Sequence, residues 1–157
     1  YINQHINEFG ELTDNAPREL IGLNNVLNVY KDHLSTNEDT KQEYAEFLKK
    51  WDKHKLAMTK NIPSKESFSQ REISIFYPSV DLHEFIATSL GNNKEFKEFA
   101  GKIPYLETKD SVIQKFGKFI TDLIKRIAKN EGIKENRVAL QAMMNSFNVL
   151  EEVNNVR

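Results

Sequence analysis

Apolar residues recur three and four positions apart along most of this chain, and strict alternation is rare, so the pattern predicts an all-α protein. Ile2, Ile6 and Phe9 form a short stripe that ends at Gly10. Pro17 suits a first helical turn, where its missing N–H would have no partner in any case. From there Leu20, Leu23, Leu27, Tyr30 and Leu34 keep a 3-4-3-4 spacing, widened by Val26 and Val29 to a core-facing stripe. A helix is predicted over 17–34. Ser35 followed by Glu38 reads as a capping box that opens a second helix, with Tyr44, Phe47, Leu48, Trp51 and Met58 along it. The short polar link between the two predicts an antiparallel hairpin.

The pattern is ambiguous over 61–79. Asn61-Ile62-Pro63 and Pro78-Ser79 are breaks, and between them Ile73, Ile75 and Tyr77 alternate with Ser74 and Phe76 as a strand would. A lone strand has nothing to pair with in a helical chain, so irregular or helical structure after a Ser64 cap is the expectation. The segment also reads as a hinge between halves 1–60 and 80–157. Beyond it, Ser79 is placed to cap a helix with Leu82, Phe85 and Ile86 inward, closed by Gly91. A short helix with Phe96 and Phe99 follows, from Asn92 or Asn93 to Gly101. Thr108 is placed to cap the longest C-terminal helix, with Val112, Phe116, Phe119, Ile120, Leu123 and Ile127 inward. Gly132 suits a helix-ending glycine, and a last stripe comprises Leu140, Met143, Phe147 and Leu150. The expectation is a single domain, an irregular bundle of six to seven helices.

Composition narrows what such a bundle does. The 157 residues are enough for one core, and no apolar run approaches the roughly 20 residues that span a bilayer. The absence of cysteine removes disulfides, thiol catalysis and thiolate metal sites, and fits a cytoplasmic rather than an exported protein. The chain opens at Tyr1 rather than Met, which reads as one piece of a larger or processed protein. A net charge of −1 argues against a general polyanion binder.

Charge is nonetheless uneven. Residues 115–137 hold seven basic and three acidic groups, and the stretch KRIAKNEGIKENRVALQAMM resembles a helix-turn-helix in its spacing of Ala128, Gly132 and Val138. On that reading Lys125, Arg126, Lys129, Lys134, Asn136, Arg137 and Gln141 contact nucleic acid, since arginine and amide side chains suit base edges. Three features oppose it. Gln141 stands where an apolar anchor is wanted, the helix before the turn is long, and Glu131 and Glu135 flank the turn. KKWDKHK, Lys49 to Lys55, offers phosphate contacts around Trp51, but Trp51 is in register with core positions.

Catalytic and cofactor signatures are not found. His5, His33, His54 and His83 lie in four segments with no i,i+4 pairing, and none of the six glycines falls in a phosphate-binding loop. The sequence therefore assigns no catalytic, cofactor or metal residues. What stands out is the apolar run Ile73, Ile75, Phe76 and Tyr77 in a segment of weak helical order. It is expected either to plug the core or to form a patch that a protein partner covers. The leading expectation is a non-catalytic interaction or scaffolding module that binds another protein, with the nucleic-acid reading as the alternative.

Overall fold

The computed structural model describes residues 2–8, 11–106 and 108–131. It is all-α: α1 (Arg18–Thr36), α2 (Lys41–Thr59), α3 (Leu82–Leu90), α4 (Lys94–Ala100) and α5 (Val112–Glu131). A short 3-10 turn spans Ile2–His5, and a π-helical turn, Glu72–Phe76, runs into a 3-10 turn, Tyr77–Ser79, ahead of α3. The described residues contain isolated β-bridges, Ile6 with Leu12 and Pro104 with Ser111, but no strand.

α3, α4 and α5 begin where a side chain meets a free backbone N–H, and three of the expected caps move. Ser35 stays inside α1 and donates to the Lys31 carbonyl. α2 follows Thr40, whose hydroxyl donates back to the Leu34 carbonyl and so joins the two helices. Asp81, not Ser79, caps α3 by accepting the Glu84 N–H at 2.8 Å. Ser111, not Thr108, opens α5 in a reciprocal box with Gln114. Asn93 caps α4 through the Phe96 N–H, and Gly91 and Gly101 end α3 and α4 as expected.

α1 is the central element. It touches α2, α3 and the Tyr77–Ser79 turn, and packs most extensively on α5. The close α1–α5 approach depends on Gly22: a Cβ there would come within 2.6 Å of Phe119 ring carbons. Near the other end of α5, the Arg126 guanidinium donates to both carboxylate oxygens of the buried Glu19, at 2.8 and 3.0 Å. This fork holds the Glu19 carboxyl below its ordinary pKa, although burial opposes the shift.

One cluster of buried apolar side chains runs through every helix and includes the π-helical turn. Tyr30 of α1 sits at its centre with no exposed surface. Its ring meets Phe85, Phe96 and Phe99 at centroid distances of 5.4 to 6.1 Å, and its hydroxyl donates to the Ile75 carbonyl. The 61–79 segment, read from sequence as a hinge, thus places its second half in the common core. Ser79 is also buried; it bonds the Tyr44 hydroxyl and donates to the Phe76 carbonyl.

Candidate functional site: an aromatic groove beside α2

Phe47, Trp51, His54 and Met58 occupy one face of α2 at helical spacing. At the end of the helix the chain reverses in a tight cap. The Ile62 N–H donates to the Ala57 carbonyl, the Asn61 N–H to the Met58 carbonyl, and Asn61 takes the left-handed conformation at φ 55°. The returning segment lays Phe68 against Phe47, Trp51 and His54, with centroids 5.7 to 6.3 Å apart. Ser69 then opens the π-helical turn through a reciprocal box: Glu72 N–H to the Ser69 hydroxyl at 3.1 Å, Ser69 N–H to the Glu72 carboxylate at 2.9 Å.

That turn presents Ile73 and Tyr77 to the α2 face. Phe47, Trp51, His54, Met58, Phe68, Ile73 and Tyr77 enclose a groove of about 280 Å³. Phe47 is its buried floor, while Met58 and Ile73 stand at the rim with 59% and 50% of their surface exposed. Trp51 lies edge-on to Tyr77 at 5.3 Å and stacks on His54 at 5.3 Å. One polar atom of the lining is buried without a hydrogen-bond partner among the described residues, Nδ1 of His54.

Charged groups brace the walls of the groove. Lys50 of α2 donates to the Ser67 carbonyl at 3.0 Å and to Glu72 at 2.6 Å, and its ammonium lies 5.2 Å from the Phe68 ring centroid. Burial disfavours the Glu72 carboxylate, but the hydrogen bonds from Lys50 and Ser69 outweigh it and hold its pKa below the usual value. Burial, a hydrogen bond to Glu84 and the negative charges of Glu84 and Asp81 push the Tyr77 hydroxyl up to about 12. Among the described residues no group of three or more His, Asp or Glu converges as metal ligands would.

The structure divides the residues expected to bind a partner. Ile73 and Tyr77 line the groove, whereas Ile75 and Phe76 have 1% and 0% exposure and belong to the core. The helical turn is part of the reason: positions 73 and 77 share one face, and 75 falls on the opposite one. Of the two expectations for this run, core plug or exposed patch, Ile75 and Phe76 take the first, and Ile73 and Tyr77 lie at the groove. Phe47, Trp51, His54, Met58 and Phe68 were not expected at the site. Their 47-51-54-58 spacing was visible, but an apolar stripe looks the same whether it faces a core or a groove.

Of the residues on the nucleic-acid reading, Lys125 and Lys129 are exposed on α5, and Arg126 is engaged by Glu19. Lys134, Asn136, Arg137 and Gln141 lie outside the described residues, as do Gly132 and the last predicted helix. The basic segment Lys49–Lys55 contributes Trp51 and His54 to the groove and commits Lys50 to Glu72. α5 supplies none of the groove lining. Among the described residues no helix is long and apolar enough to cross a membrane.

Compared with models of protein families, with curated proteins and with solved structures, the chain matches none.

Proposed function

We propose that this protein is a non-catalytic helical interaction module that binds another protein through the groove beside α2. The observation that carries this reading is a concave, aromatic-walled space whose rim residues, Met58 and Ile73, keep 59% and 50% of their surface exposed. A volume of about 280 Å³ is small for a drug-sized ligand and suits one or two bulky side chains. The α2 face from Phe47 to Met58 extends about 16 Å at 1.5 Å per residue, long enough to accompany three turns of a partner helix. Leucine, phenylalanine or tryptophan anchors on an amphipathic helix fit that shape and lining.

The test is selection from a random peptide library on the wild-type protein, with Ile73→Glu as the counter-selecting surface. The reading expects enriched sequences to share bulky apolar anchors at helical spacing and to lose binding at least about ten-fold on Ile73→Glu. Enrichment that ignores Ile73→Glu, or no enrichment at all, would defeat it.

A further inference from the structure

A second surface lies just past the groove, where α2 ends, and it differs in charge. Leu56 and Ile62 line no part of the groove, yet each leaves 55% of its surface exposed, and Met58 between them leaves 59%. Five large apolar side chains among the described residues are at least half exposed, and three of them fall within these seven positions. The tight cap that ends α2 concentrates them. Lys60 N–H bonds the Leu56 carbonyl and Ile62 N–H the Ala57 carbonyl, so the chain reverses within a few residues at the tip of the helix.

Basic groups predominate at this tip, with Asp52 and Glu66 at its two ends. From Lys53 to Lys65 there are four lysines, Lys53, Lys55, Lys60 and Lys65, and no acidic residue, in a chain whose net charge is −1. Lys53, Lys60 and Lys65 have no ion-pair partner among the described residues, and Lys55 has only Asp52 at 3.7 Å. The two halves of the pattern belong together. Apolar side chains gain by entering the boundary between lipid headgroups and acyl chains, while lysine stems lie along that boundary and their ammonium groups reach phosphate and carboxylate oxygens.

We infer that the tip of α2, Leu56, Met58 and Ile62 ringed by Lys53, Lys55, Lys60 and Lys65, is a contact site for an anionic lipid surface. The contact is peripheral. Separately exposed apolar side chains at a helix end, set among lysines, suit insertion into a soft, anionic boundary. Complementary charge selects anionic over zwitterionic lipid. The inference stands apart from the groove, and the two sites are separable because Leu56 and Ile62 belong only to the tip.

Flotation of the full chain with vesicles tests it directly. Vesicles are made of phosphatidylcholine alone or with about 30% phosphatidylserine, at roughly 50 and 200 mM salt. The expected result is binding to the serine-containing vesicles only, weakened by salt. Leu56→Ser with Ile62→Ser, and separately Lys60→Gln with Lys65→Gln, should each reduce partitioning by about ten-fold or more, at unchanged helicity. Lys125→Gln with Lys129→Gln, on the exposed side of α5, should leave it unchanged. Equal binding to both vesicle types, no binding at the lower salt, or full binding by the tip variants would overturn the assignment. Capture of a labelled acidic amphipathic peptide by a tip that ignores vesicles would also overturn it, by giving the tip to a protein.

Discussion

Tyr30→Phe isolates one bond at the centre of the fold. The ring is fully buried among Phe85, Phe96 and Phe99, and phenylalanine keeps all three contacts. What disappears is the donation from the hydroxyl to the Ile75 carbonyl, which ties α1 to the π-helical turn. A neutral hydrogen bond contributes about 0.5 to 1.5 kcal/mol net, and a buried carbonyl deprived of its donor costs more, so the expected loss is about 1.5 kcal/mol. With a urea slope of about 2 kcal/mol/M for a domain of this size, the unfolding midpoint should fall by about 0.7 M at unchanged slope. The same change should lower Tm by about 3 to 6 °C. Tyr30→Leu also removes the edge contacts and leaves unfilled volume, so its loss should be larger, about 3 kcal/mol. Urea unfolding followed by far-UV circular dichroism measures both. If Tyr30→Phe unfolds within about 0.3 kcal/mol of wild type, the turn is not held from α1, and the argument that 72–79 belongs to the core loses its main support.

Four further outcomes follow from the same packing. Gly22→Ala improves helix propensity on a bare helix but here drives a methyl into the Phe119 ring, so it should destabilise by about 1 to 3 kcal/mol in thermal unfolding. Glu19 has a folded pKa below its ordinary 4.5, so its contribution is complete above that value and is lost as pH falls through the folded pKa. Arg126→Gln should therefore flatten the acid limb of a stability–pH curve, at a cost of roughly 1 kcal/mol near neutrality given the partly exposed guanidinium. Tyr30, Tyr44 and Tyr77 are all raised above 10.0, chiefly by burial, so folding favours their neutral forms. Stability should decline as pH rises from about 10, and tyrosinate absorbance should appear later in the folded than in the urea-unfolded protein. Ile73→Glu should leave thermal stability within about 0.5 kcal/mol of wild type, whereas Phe76→Ser should lower it by about 3 kcal/mol or more, because only the second empties a core position.

The long helices were legible because their stripes are long. Leu20 to Leu34 and Val112 to Ile127 repeat their spacing over several turns, and both stripes pack as the period demands. Caps were less legible. Ser35, Ser79 and Thr108 each lie two to five residues before the residue that does precede the helix, and any of several short polar side chains satisfies the composition rule. The Ser69–Glu72 box was present in the sequence, and it would have placed the turn on a helical period in which 73 and 77 align. Alternation of apolar and polar residues over only five positions does not distinguish a strand from a helical turn; the donor and acceptor pairs do. The groove was hidden for a different reason. Phe68 reaches α2 only because Asn61 reverses the chain and Lys50 fastens the return, and no local spacing encodes an approach across that distance.

The central claim is that the groove beside α2 is where a protein partner binds. The most direct measurement is chemical-shift mapping of the Trp51 indole N–H, the Met58 methyl and the Ile73 methyls as a selected peptide is added. Trp51 is the only tryptophan in the chain, so its indole signal needs no assignment by mutation. The account predicts saturable shifts at these three groups, with the Leu123 and Ile124 methyls of α5 unmoved. Shifts centred on α5, with Trp51, Met58 and Ile73 unmoved at saturation, would contradict it.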